Sequence, residues 1–108
     1  MNNEAMLKQL GYAPNEALLS QAERIINNTH EFNKIQKHIL DLHEHLKVDD
    51  SHVAMSNSED YFKIKIEAPS PERTEEAIEK VDRFADKYKV DLKQVSGKNT
   101  FYIIGFSK

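Results

Sequence analysis

The chain has no cysteine among its 108 residues. Disulfide scaffolds, thiol nucleophiles and zinc sites built from thiolates are therefore excluded. No apolar run approaches the roughly 20 residues needed to span a bilayer, so no membrane segment is expected. Met1-Asn2-Asn3-Glu4 shows no basic stretch leading into an apolar one, and no signal peptide is expected there. A cytoplasmic location is the default that follows. Internal repeats and low-complexity segments are also missing. So is a concentrated basic face: the net charge is −3, with five basic and ten acidic residues in 1–62 and ten basic and eight acidic in 63–108. Nucleic acid is for that reason not expected as the main partner.

What remains is 39% hydrophobic and 31% charged, a composition suited to one soluble domain of 1–108 with a core of its own. The best-marked element is a helix over 71–89. Ser70 offers a side-chain acceptor at its cap, and Pro71 sits where a missing N–H costs nothing. Ala77, Ile78, Val81, Phe84, Ala85 and Tyr88 form one apolar stripe. Glu76 with Lys80, and Glu79 with Arg83, are spaced for solvated pairs on the other face.

Residues 1–47 read as helical. A short leading helix uses Ala5, Met6, Leu7 and Leu10 and stops at Gly11. A second carries Leu18, Leu19, Ala22, Ile25 and Ile26; a third carries Phe32, Ile35, Ile39, Leu42 and Leu46. Were the last two continuous, their stripes would sit roughly 110° apart. That mismatch, with Asn27-Asn28-Thr29 between them, predicts a helical hairpin over a single long helix. Asn28 followed by Glu31 resembles a capping box for the third helix.

Residues 52–106 read as strands around the helix. His52 to Ser56 is a short strand, and Tyr61 to Glu67 alternates with Phe62, Ile64 and Ile66 on one side. Val90 to Ser96 is a weaker strand, joined through Gly97-Lys98 to Phe101–Phe106. That last strand is apolar on both faces, which predicts a central place in a sheet covered on both sides. The fold class is therefore α+β: a leading helix and helical hairpin, then a ββαββ unit with a four-stranded antiparallel sheet in the order 1-2-4-3. Phe101, Ile103 and Gly105 are expected to face the central helix, with Gly105 allowing its close approach. Tyr102, Ile104 and Phe106 would point the other way.

Candidate chemistry is sparse. His38, Asp41 and His45 share one flank of the third helix and are the candidate metal ligands. No two histidines stand at i,i+4, however, and a solvated polar flank is the expectation, with no metal or cofactor. His43 lies on the other flank, beside Phe32, as a packing residue. Ser51-His52 beside Asp49 and Asp50 has hydrolytic residue types but no supporting turn motif, and an enzyme is not expected. Gly97-Lys98 lacks the upstream glycine of a P-loop.

Two binding readings remain. Tyr61, Lys63, Lys65 and Tyr102 share a strand face that loosely resembles the sheet of an RNA-recognition domain, although its Lys/Arg-Gly-aromatic signature is missing. Coverage of these aromatics by the amino-terminal helices is the alternative. The primary expectation is a non-enzymatic protein-interaction domain that self-associates as a homodimer. Its interface would comprise Leu18, Ile25, Ile35, Ile39, Leu42, Leu46, Tyr102, Ile104 and Phe106, because two helical stripes cannot cover both each other and the sheet.

Overall fold

Three helices open on side-chain caps, and of these the sequence marks that of Ser70. The Asn2 side chain accepts the Ala5 N–H at 2.8 Å to start α1 (Asn3–Gln9), and Asn15 accepts that of Leu18 at 2.8 Å to start α2 (Glu16–Asn28). Ser70 accepts from Arg73 at 3.2 Å, with Pro71 as first residue of α4 (Pro71–Tyr88). These belong to a computed structural model that describes residues 2–107. Between α2 and α4 lie α3 (Phe32–Leu46), a 3-10 turn Lys47–Asp49, and strands β1 (His52–Met55) and β2 (Phe62–Lys65); β3 (Val90–Gln94) and β4 (Thr100–Phe106) follow α4.

The break between α2 and α3 is real, but no capping box makes it. Asn28 is the last residue of α2 and donates its amide to the Asp60 carbonyl at 3.0 Å. Glu31 itself precedes α3 in a left-handed conformation, φ 46°, with no side-chain cap bond. Thr29 ends α2 by returning its hydroxyl to the Ile25 carbonyl at 2.7 Å. His30 then runs parallel to Gly105 and accepts the Phe106 N–H at 2.8 Å. The chain leaves the helix because the end of β4, beyond the reach of β2, takes His30 as its neighbour.

The sheet order is β1-β2-β4-β3, antiparallel throughout, as expected from the sequence. Register fixes the faces. Val53 pairs with Ile64, which pairs with Phe101; Met55 pairs with Phe62, which pairs with Ile103. These side chains share the face on which α3 and α4 lie, α3 against β1 and β4, α4 against β3. α1 and α2 pack on each other and close the same core beside β1. Phe62, Ile64, Ile103, Ile35, Ile39 and Leu46 are buried almost completely, each contributing about 2 kcal/mol of burial.

Among the described residues only that one face is covered, which corrects the expectation of a sheet buried on both sides. On the other face Ala54, Tyr61, Lys63, Lys65, Tyr102 and Ile104 are half-buried, and none joins the core. Phe106 is also corrected. An irregularity between Asp91 and Leu92 shifts the β3–β4 register, so that Phe106 pairs with buried Val90 and turns to the helix side. There the Lys34 ammonium sits 4.9 Å from its ring centre. Gly105 is needed for a reason other than the central helix. A Cβ built on it would lie 2.6 Å from the His30 nitrogen, and its φ is +151°.

Candidate functional site

The helical half of the expected interface is corrected by burial. Ile25, Ile35, Ile39, Leu42 and Leu46 all lie inside the single chain, and Leu18 packs half-buried against the same core. The stripes do not have to choose between each other and the sheet. α2 packs on α1 and α3 on α4, and all four helices share one core with the covered face. Among the described residues Val48, 65% exposed, is the one large apolar side chain left in solvent.

His38, Asp41 and His45 do stand together, along a groove of about 470 Å³ between α3 and α4. Leu42, Val48, Phe84 and Tyr88 contribute apolar wall. The His38 ring stacks on Tyr88, centroids 3.6 Å apart and planes 10° from parallel. Among the described residues no three His, Asp or Glu side chains converge enough to hold a metal ion.

Lys80 and Arg83 do not pair with Glu76 and Glu79 as their spacing implied. Lys80 crosses instead to α3, where its ammonium meets Asp49 Oδ2 at 2.8 Å and the His45 carbonyl at 3.1 Å. It thereby satisfies one carbonyl at the end of α3 and partners a carboxylate with no solvent exposure. The Lys80 hydrogen bond holds the Asp49 carboxyl below its ordinary pKa, against the opposing effect of burial. Ser51 gives its hydroxyl to the Asp49 carbonyl at 3.1 Å and accepts the Glu67 N–H at 3.1 Å. No hydrogen bond joins Ser51 to His52, so those residue types are not assembled for nucleophilic chemistry.

The uncovered face brings together the residues singled out for RNA. Tyr102 pairs across the ladder with Lys63 on one side and Lys93 on the other. The Tyr61 and Tyr102 rings lie 5.8 Å apart, tilted by 42°. The Tyr102 hydroxyl is 3.2 Å from that of Ser58, a contact that lowers its pKa from the ordinary phenol value. Lys65 is drawn toward Glu67, 3.4 Å away. Coverage of these aromatics by the amino-terminal helices does not occur.

The two edges of the sheet differ, and nothing in the spacing of residues signals it. On β1 the outward N–H of Val53 reaches His43 Nδ1 at 3.0 Å, and that of Met55 reaches the Tyr12 hydroxyl at 2.9 Å. On β3, no side chain among the described residues bonds to the outward N–H groups.

No protein-family model, no curated protein and no solved structure matches this chain. Among the described residues no helix is long and apolar enough to cross a membrane.

Proposed function

We propose that this chain is a non-enzymatic protein-binding domain that docks its partner on the sheet. The observation that carries this reading is the uncovered face, where Tyr61, Tyr102 and Ile104 sit half-buried with no layer over them. Tyrosine combines a large apolar area with few rotatable bonds, and it is enriched where proteins meet. Lys63, set inside the face between Ala54 and Tyr102, and Lys65 and Lys93 supply positive charge that orients a partner bearing carboxylates.

One observation favours a second reading, single-stranded RNA on the same face. Tyr102 stands between Lys63 and Lys93 with Tyr61 beside it, so rings for bases alternate with ammonium groups for phosphates. The negative net charge of the chain supports the protein reading over this one.

Both are tested by a photo-crosslinking side chain placed at Tyr102 and, as control, at exposed Glu23 on α2, irradiated in native cytosol. A defined protein adduct at Tyr102, absent at Glu23, is the expected result. An RNA adduct at Tyr102 would establish the second reading. No excess of adduct at Tyr102 over Glu23 would overturn both.

A further inference from the structure

We infer that the outer edge of β3 is a strand-addition site for an extended, basic peptide segment. This rests on the protein-binding reading above and adds a place and a chemistry to it.

The place follows from the backbone. Val95 donates to the Thr100 carbonyl at 2.8 Å, and Ser107 donates to that of Lys89 at 2.6 Å. Antiparallel pairing alternates, so Lys89, Asp91, Lys93 and Val95 turn their backbone groups to β4. Val90, Leu92 and Gln94 turn theirs outward. This row is the counterpart of the one that His43 and Tyr12 occupy on β1, and it is left open. An incoming strand would find donors and acceptors at alternate residues, the requirement for strand addition. It would also cover the half-buried Leu92 side chain.

The chemistry follows from α4. Because α3 lies against β1 and β4, and α4 against β3, the flank of α4 turned away from α3 overhangs the outer side of β3. At about 100° per residue that flank carries Glu75, Asp82 and Asp86. All three are exposed, and none has an ion pair among the described residues. Side chains of an added strand alternate between the two faces. Those on the α4 side meet carboxylates, so lysine or arginine at alternate positions fits.

A second copy of this chain fits less well. A two-fold axis at Leu92 would set Asp91 of each copy against Lys93 of the other, which is favourable. It would also bring the acidic flank of α4 up to its own image, which is not.

The test is a titration of the full chain, followed by its amide NMR signals, with a short peptide alternating lysine and valine. Leu92 and Gln94 amides are expected to shift and exchange more slowly, while those of Val53 and Met55 stay unmoved. A peptide with glutamate for lysine should bind about tenfold more weakly, and a Glu75→Lys, Asp82→Lys chain should reverse that preference. Equal binding of the two peptides would overturn the inference, as would shifts confined to the Tyr102 face. So would Leu92 and Gln94 amides already protected in a free protein with the mass of two chains. Edge shifts without a Tyr102 crosslink support the edge and overturn the face; a Tyr102 crosslink without edge shifts overturns the edge alone.

Discussion

The Nδ1 of His43 accepts the Val53 N–H at 3.0 Å, inside the core and at the edge of the sheet at once. A ring nitrogen accepts only while it is unprotonated, so this bond needs the neutral imidazole. Burial, and then Lys47, lower the His43 pKa from its ordinary value of 6.5. Below about 6.5 the unfolded chain takes up a proton that the folded chain refuses, and unfolding gains. The urea midpoint should therefore fall as pH drops below about 6.5, and this contribution should level off below the folded pKa. His43→Leu should lack this step while being less stable at pH 7 than the parent.

Tyr12→Phe removes only the hydroxyl that accepts the Met55 N–H at 2.9 Å. The N–H loses its partner with almost no change in volume, at a cost of about 1–2 kcal/mol. Chemical denaturation measures the loss, and hydrogen exchange at Met55 should accelerate more than at neighbouring core amides.

Lys80→Met strands Asp49, whose side chain has no exposure. The expected loss at pH 7 is about 3 kcal/mol, the lower end for an uncompensated buried charge. Adding Asp49→Asn should recover part of it, so that the double variant loses less than the sum of the two single ones. The Asp49 pKa is lowered in the folded chain, so its contribution is present above the unfolded value of about 3.9 and lost as pH falls through the folded one. The penalty of Lys80→Met should shrink over that acid window, as read from urea midpoints.

Gly105→Ala puts a methyl group 2.6–2.8 Å from three atoms of His30, two of them backbone, at a φ of +151°. The strand must shift or the α2–α3 link must leave it, at about 2–3 kcal/mol. Gly97→Ala is the control: it meets nothing within 4 Å, and only its φ of +73° opposes the change. It should cost about 1 kcal/mol. Equal thermal midpoints for the two variants would refute the role given to His30.

Local features were legible in the sequence. Ser70 and Pro71 mark a helix start through features close by in the chain, and the stripes of α2, α3 and α4 show the faces they bury. The place of β4 was legible from its apolar run, although the reason was half right. It is central, but a single helical layer covers it, and Tyr102 and Ile104 remain on the outside. The flank shared by His38, Asp41 and His45 was legible too; that Tyr88 would take the ring face of His38 was not. Tyr12 with Met55, Lys80 with Asp49, and Gly105 with His30 join distant parts of the chain. Bonds of that kind have no period and leave no trace in spacing. The openness of the β3 edge is equally silent, since a strand reads the same whether or not anything lies beside it.

The unequal edges set a limit on growth. Stacking without end needs every subunit to offer two open sides, one to receive and one to pass on. Here the donors on the β1 side are already spent on His43 and Tyr12. Two copies joined at β3 would present, at both ends, β1 edges whose Val53 and Met55 N–H groups are already taken. A subunit added at β3 would find no free Val53 or Met55 N–H on the far edge to repeat the step, so growth through the sheet is opposed at its first addition.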